Sequence, residues 1–507
     1  MPSEVTIQPN DEHNQKLVSH VHPNDWVNPT PQAMYDMVVI GAGTAGLVTA
    51  VASAGLGKKV ALIERHLMGG DCLNVGCVPS KALIRSARAA ADARSVGEFG
   101  VHVDGEVRVD FERVMERMRE LRAGIAPHDS ADRFTSVGVD VFIGSGRFTG
   151  RNTVDVEGVT LNFKKACVAT GARAAAPPIP GLDEVEYLTN ETIFELTELP
   201  KRLLVFGAGA IGCEMAQSFA RFGSEVHLLE AQHGIMPRED QACAEIVKAS
   251  MMRDGVNIHC CGKQAKLENT AGGIRATFES HEQGYDIEVD HVLIAVGRTP
   301  NVEGLGLDEA GVKYDKRGVA VDDTLATSNP DIFAAGDICY KYKFTHAADA
   351  NARIVIRNGL FGWLPLPKAK ASKLVMPWCT YTSPEIAHVG KSIQELDEAG
   401  TRYETVSVEL GKVDRAILEG ETEGVLRVHV VPNSGRILGA TLVAGHAGEM
   451  IGELTMAITK GVKLHEIASV IHPYPTQAEV IKRAGDQFFK KHALNWFGWK
   501  SRLGMGK

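Results

Sequence analysis

The chain has no surplus of positive charge: 54 Lys and Arg stand against 63 Asp and Glu, a formal net charge of −9 over 507 residues. A duplex nucleic-acid binder needs a basic footprint, so that class is excluded. Cysteine is sparse and odd in number, nine in all, which fits a reducing, cytoplasmic setting where any disulfide is catalytic rather than structural. No second CxxC and no paired-His spacing accompanies these cysteines, so no zinc site is expected. The stretch Met1 to Pro31 lacks the charged-then-apolar layout of a secretory signal; it is polar, holds five prolines, and is expected to form a flexible arm over 1–33. A membrane span is also rejected. Met37 to Gly57 carries no charge, but Gly41, Gly43 and Gly46 sit near its start, and the run Met37 to Ile40 suits a buried parallel strand.

Apolar residues at 44% and charged residues at 23% exclude disorder, and 52 glycines suggest tight turns against a ligand. At roughly 150 residues per domain the chain has room for three to four domains.

One internal repeat organises the first 300 residues. MVVI leads into Gly41-Ala-Gly43-Thr-Ala-Gly46, a small-residue helix and VALIE ending at Glu64; LLVF leads into Gly207-Ala-Gly209-Ala-Ile-Gly212, a second helix and VHLLE ending at Glu230. From first glycine to acid is 23 residues in both copies. Each copy fits a dinucleotide-binding fingerprint. The first Gly permits the strand-to-helix turn, the second lets a pyrophosphate approach the backbone, and the third allows close helix–strand packing. The helix N-terminus holds the phosphates, and the acid accepts bonds from ribose hydroxyls. Two such sites imply two redox cofactors, FAD and a nicotinamide. Glu230 would repel a 2′-phosphate and favours NADH, although Arg238 lies nearby.

Three further strand ends fall where a chain would turn beneath a nucleotide. CVATG places Thr170 and Gly171 there, and LIAVGRTPN places Gly297, assigned to the nicotinamide side. IFAAGDI places Gly336 and Asp337, a carboxylate for a ribityl hydroxyl or a cap for the next helix. A linker is expected over Gly359 to Lys373. Beyond it VSVEL, GVLRVHVV and ILGATLV suit strands, with helices near 447–460 and 476–490.

Directly after the first acid comes Gly69-Gly70-Asp71-Cys72-Leu-Asn-Val-Gly76-Cys77-Val-Pro79-Ser80-Lys81. Two cysteines separated by four residues, opening a helix that Pro79 can start, suit a reducible disulfide beside a cofactor. A helix N-terminus favours the thiolate.

With this segment the chain, from about Tyr35 to about Phe489, resembles the pyridine nucleotide-disulfide oxidoreductases, which include glutathione reductase, dihydrolipoamide dehydrogenase and mercuric reductase. The resemblance implies an α/β fold with two Rossmann-like dinucleotide-binding domains (FAD and NAD) and a C-terminal α+β dimerisation domain. The implied division is 34–180 for FAD with the redox disulfide, 181–303 for NAD(P), 304–370 completing the FAD site, 371–490 as interface, and a basic tail over 491–507. It further implies that Cys72 faces substrate, Cys77 faces the flavin, Lys81 lies beside flavin N5, and Glu214 is the partner of that lysine. His472-Pro-Tyr474-Pro-Thr476-Gln-Ala-Glu479 resembles the segment that a partner subunit inserts in a homodimer with a shared active site.

In disulfide-reducing relatives the position of Tyr474 is a His, held by an acid matching Glu479. A phenol of pKa about 10 delivers protons poorly near neutral pH, and His472 is expected to point elsewhere. Mercuric reductases also carry Tyr there, and a soft metal ion needs electrons rather than protons. On this feature the chain is mercuric-reductase-like, with a small-molecule or metal-ion acceptor. Two features oppose it: the chain ends Trp499-Lys-Ser-Arg-Leu-Gly-Met-Gly-Lys507 without a Cys pair, and its first 33 residues contain no Cys. The vicinal pair Cys260-Cys261 is expected on a strand, its side chains on opposite faces. Dihydrolipoamide dehydrogenase is the alternative function. A membrane-associated electron carrier is another, since Trp496, Trp499 and Leu503 at i, i+3 and i+7 among basic residues suit peripheral membrane contact.

Overall fold

A computed structural model describes residues 4–496 of the chain. They form two compact units. The first takes the chain up to Pro178 together with Glu186–Pro200 and Leu293–Leu374; the second takes Ile179–Val185, Lys201–Val292 and the chain from Val375 onward.

The first unit is built on five parallel strands in the order Ile332–Ala334, Ala166–Val168, β1 (Met37–Ile40), β2 (Val60–Glu64) and β3 (Val139–Ile143). Every residue of β1 is buried, as the uncharged run MVVI requires of a strand covered on both faces. Its side chains alternate between two cores. Met37 and Val39 join one with α2 (Thr44–Gly55), while Val38 and Ile40 join another beneath the antiparallel strands Gly146–Gly150, Thr153–Val156 and Val159–Asn162. The stretch expected to form a separate domain from 304 supplies the fully buried edge strand Ile332–Ala334. The expected linker starts late, because the helix Thr345–Phe361 runs through Gly359.

The arm is not loose. Asp11 caps α1 (Glu12–Val21) by accepting from Asn14 N at 2.8 Å, and Leu17 and Val21 are fully buried in the first unit's core. Trp26 Nε1 donates to Val141 O at 3.2 Å, and Asn28 exchanges two bonds with the backbone of Ile143. The expectation of flexibility counted prolines; the apolar stripe of α1 and the buried partners of its polar residues outweigh them.

The second unit carries three parallel strands, Val256–His259, Glu225–Leu229 and Arg202–Phe206, and the antiparallel strands Lys263–Thr270, Gly273–Ser280 and Gln283–Val289. Its C-terminal part is a five-stranded antiparallel sheet with the fully buried strand Ile437–Ala444 at its centre. The helices Ala447–Lys460 and Glu479–Trp496 share one core with this sheet. The second of these passes the expected boundary at 490: Lys491 and His492 meet Glu404 at 2.7 and 3.1 Å. Trp496 ends that helix, while Trp499 and Leu503 lie outside the described residues. Among the described residues no helix is long and apolar enough to cross a membrane.

Candidate active site

Both glycine turns are built alike. Gly41 and Gly207 adopt φ of +102° and +97°, the left-handed region that favours glycine. A Cβ on Gly46 or Gly212 would lie 1.8 Å from the carbonyl oxygen of Gly41 or Gly207, so only glycine lets each helix approach its strand. The middle glycines differ. Added side chains there would meet only Gly70 Cα at 3.8 Å in the first copy and nothing within 4 Å in the second, which leaves open space at each helix N-terminus. The two acids are wired identically. Glu64 accepts from Ala42 N at 2.7 Å and His66 N at 2.8 Å; Glu230 accepts from Ala208 N at 2.8 Å and Gln232 N at 2.9 Å. Burial raises the Glu64 pKa against those two bonds. An open helix N-terminus with a carboxylate fixed at the next strand end fits a dinucleotide in each copy.

The redox segment follows β2 in the first unit. Cys72 lies in a short helix of its own, α3 (Gly70–Asn74), and Cys77 begins α4 (Cys77–Ser95). Both were expected at one helix start; instead Gly76, with φ −138° and ψ −114°, breaks the helical path between them, and Pro79 sits in the first turn of α4. A Cβ on Gly70 would lie 2.7 Å from Gly43 Cα, so α3 rests on the first glycine turn. Cys72 is half-buried and Cys77 exposed. A hydrogen bond with Cys77, then burial, holds the Cys72 pKa well above its ordinary value. Cys77 Sγ also lies 3.4 Å from Thr345 Oγ1. Lys81 is half-buried one turn after Cys77, on the same face of α4.

Sequence reasoning missed Arg298. It sits on the strand Arg298–Pro300, which pairs with Ala172–Ala174. Its guanidinium bonds Asp71, donates to Ala172 O at 2.5 Å, and reaches Asp337 Oδ2 at 3.3 Å. Burial opposes its charge, yet Asp71 and Asp337 hold it above its ordinary value. Arg298 thus ties the residue preceding Cys72 to the proposed flavin carboxylate. The signal available was the arginine directly after Gly297, in a motif quoted only for its glycine. Asp337 lies in the short turn Gly336–Ile338, while the next helix, Thr345–Phe361, has Phe344 at its N-cap, and burial raises the Asp337 pKa. Gly336 is tight, with an added Cβ 3.3 Å from Ala45 Cβ. Thr170 donates to Asn301 O at 2.9 Å, and Gly171 has φ +67°. Gly297 belongs to the first unit although it was assigned with the nicotinamide fingerprint.

In the second unit Glu214 is buried and accepts from Tyr381 N at 2.9 Å. Lys81 and Glu214 fall in different units. Tyr474 is 70% exposed and donates to Asp414 Oδ2 at 2.9 Å. That bond, with the charge of Asp414, raises its pKa. Glu479 opens its helix and takes Arg483 Nε at 3.1 Å, one turn on. His472 Nε2 pairs instead with Glu453 Oε1 at 3.0 Å. Cys260 and Cys261 are not on a strand. The strand ends at His259, and Cys261 turns with φ +56°, its sulfur 3.6 Å from His233 Nδ1.

Residues 35–352 match the pyridine nucleotide-disulphide oxidoreductase family, and residues 376–485 match the dimerisation domain of that name. A mercuric reductase of Streptomyces lividans is 34% identical over 460 residues, covering 90% of this chain and 96% of that protein. A dihydrolipoyl dehydrogenase of Chlamydia muridarum is 33% identical, covering 88% of this chain and 95% of that protein. Among solved structures, the Cu(II) complex of the HOCl-induced flavoprotein disulfide reductase RclA from Escherichia coli is similar with TM-score 0.78 at 27% identity, covering 90% of this chain and 100% of that one.

Proposed function

The chain belongs to the pyridine nucleotide-disulphide oxidoreductase family, whose cofactors are FAD and NAD(P)H, and from that premise we propose that it carries two electrons from NADH through the Cys72–Cys77 pair to Hg(II). The observation that carries this reading is the pair of hydrogen-bonded thiols, Cys72 in α3 and Cys77 at the start of α4, with α3 resting on the first glycine turn. FAD, when bound, supplies the two-electron relay between nicotinamide and sulfur.

The protein's own residues do the rest. The helix N-termini at Gly43 and Gly209 bind pyrophosphates, while Glu64 and Glu230 hold the riboses. Glu230 selects NADH. Thr170, Gly171, Gly336 and Asp337 line the flavin side, and Gly297 the nicotinamide side. Cys77, at a helix N-terminus that favours its thiolate, faces the flavin, and Cys72 receives the metal. Lys81 and Glu214 act as an ion pair beside the flavin. The chain works as a homodimer, with Tyr474 and Glu479 presented to the partner's site; the exposed Ile471 and Tyr474 in the segment of the dimerisation match suit such burial. The reaction balances as NADH + Hg(II) → NAD⁺ + Hg(0) + H⁺, with no proton needed by the acceptor. Tyr474, its pKa raised further by Asp414, suits that demand better than proton delivery to a thiolate.

Hg(0) release is measured anaerobically with NADH. Release by the wild type and its loss in Cys72→Ser is the expected result; no release under saturating NADH overturns mercury as acceptor. A Cys77→Ser enzyme that keeps the long-wavelength thiolate–flavin absorbance overturns the assignment of the sulfurs. One observation favours a second reading, NAD-linked dihydrolipoamide oxidation: His472 and Glu453 form an imidazole–carboxylate pair suited to proton transfer. Dihydrolipoamide oxidation no faster than in Cys72→Ser rejects it.

A further inference from the structure

The family match begins at residue 35, yet the segment ahead of it reaches the redox loop. Arg119 and Arg122 sit three residues apart on α5 (Phe111–Ile125), both buried. Asp11 and Asn14 are spaced the same way on the facing chain. Arg119 Nε meets Asp11 Oδ2 at 2.5 Å, and Arg122 donates to Asn14 Oδ1 at 2.6 Å. The same guanidinium donates from its other terminal nitrogen to the carbonyl oxygen of Asn74, also at 2.6 Å. Asn74 lies between the two cysteines, and its side chain donates to Met68 O at 3.0 Å and Gly70 O at 2.9 Å. A second route runs through the backbone: Met68 N donates to Val21 O at 3.0 Å at the end of α1. Leu17 and Val21 share a core with Met68 and Leu73, the neighbour of Cys72.

A buried guanidinium demands satisfied acceptors. Arg122 obtains them from two neutral oxygens, one in the N-terminal segment and one in the redox loop. Its placement on the loop therefore depends on Asn14. Arg122 Nε already lacks a partner, so without that oxygen the cation must turn toward water or leave a second buried donor unpaired, and either change relaxes its hold on Asn74.

We propose that Asn14 and Arg122 form a clamp by which the N-terminal helix holds the backbone of the Cys72–Cys77 loop, making Arg122 a positioning residue for the redox pair. The inference rests on the functional reading of Cys72 and Cys77. Disulfide formation brings the two sulfurs to about 2.05 Å, so an element bonded to the backbone between them sets how readily the loop makes that approach. Loss of the clamp changes the balance between disulfide and dithiol.

The test equilibrates the FAD-loaded enzyme with reduced and oxidised dithiothreitol at fixed pH and counts protein thiols by alkylation and mass. The exchange is balanced: protein disulfide plus dithiol gives protein dithiol plus the cyclic disulfide. Asn14→Leu and Arg122→Met are expected to change the disulfide-to-dithiol ratio about tenfold at fixed buffer, which is about 30 mV for a two-electron couple. Arg122→Lys, whose single ammonium stands in for two terminal nitrogens, is expected to fall between. If Arg122→Met fails to retain FAD, Asn14→Leu alone decides. A lowered urea midpoint with an unchanged ratio in Asn14→Leu means that α1 only adds stability, and overturns the clamp. Retained NADH-driven acceptor turnover in Cys72→Ser would instead undo the functional reading, a separate result.

Discussion

Replacing Arg298 by Met removes the cation between Asp71 and Asp337. Breaking a buried pair by deleting one partner costs about 3–5 kcal/mol. The Asp337 half of this bridge approaches that range, because the Arg298 and Asp337 side chains are only 16% and 19% exposed. The Asp71 half is worth at most about 1 kcal/mol, because that carboxylate is 42% exposed and screened by water. The expected loss is about 3 kcal/mol, a fall of about 1 M in the urea midpoint for a slope near 3 kcal/mol/M. The assay follows FAD release from the holoenzyme by flavin fluorescence. The loss is expected to depend on pH in a definite sense. Asp337 has a folded pKa raised by burial from 3.8, with Arg298 pulling it back. A raised carboxylate contributes stability that is complete below the unfolded pKa and is lost as pH rises through the folded pKa. Removing the cation raises that pKa further, so the deficit of the variant is largest near pH 7 and shrinks toward the carboxylate range. Arg298→Lys should recover part of the loss. A midpoint within about 0.2 M of wild type, or a deficit that grows on acidification, would refute the bridge.

Gly46→Ala and Gly212→Ala each force a Cβ to 1.8 Å from a carbonyl oxygen. The first should yield colourless protein after gel filtration; the second should stay yellow but resist reduction by NADH, and the reverse pattern would exchange the two sites. Glu230→Ser should lower kcat/KM for NADH relative to NADPH by at least about tenfold, some 1.4 kcal/mol of discrimination, measured with both nucleotides in parallel. Burial lowers His259, His388 and His429 to about 4 each. A depressed histidine contributes stability above its unfolded pKa that is lost as pH falls toward the folded one, so the second unit should weaken from about pH 6.5 to 4 by on the order of 2 kcal/mol per histidine. Urea midpoints of that unit that stay flat between pH 7 and 4.5 would contradict this.

Local chemistry alone determined the glycine turns. A strand that is uncharged throughout, three glycines at fixed offsets and an acid 23 residues from the first have few conformations open to them, since a Cβ at Gly46 or Gly212 collides with the preceding carbonyl. The redox segment was legible for the same reason, because its cysteines are near neighbours in sequence. So were the three C-terminal strands, whose apolar residues alternate or run together as a sheet requires. Only the tertiary structure decided the partners of charged side chains. Arg298 meets Asp71 across 227 residues, Arg122 meets Asn14 across 108, and Tyr474 meets Asp414 across 60. A polar group on a flexible side chain accepts any complementary group within reach, and reach is set by packing rather than by neighbours in sequence. The N-terminal arm is the plainest case: its prolines and polar residues carried no sign of order until Asn14 found a buried arginine and Leu17 a hydrophobic core.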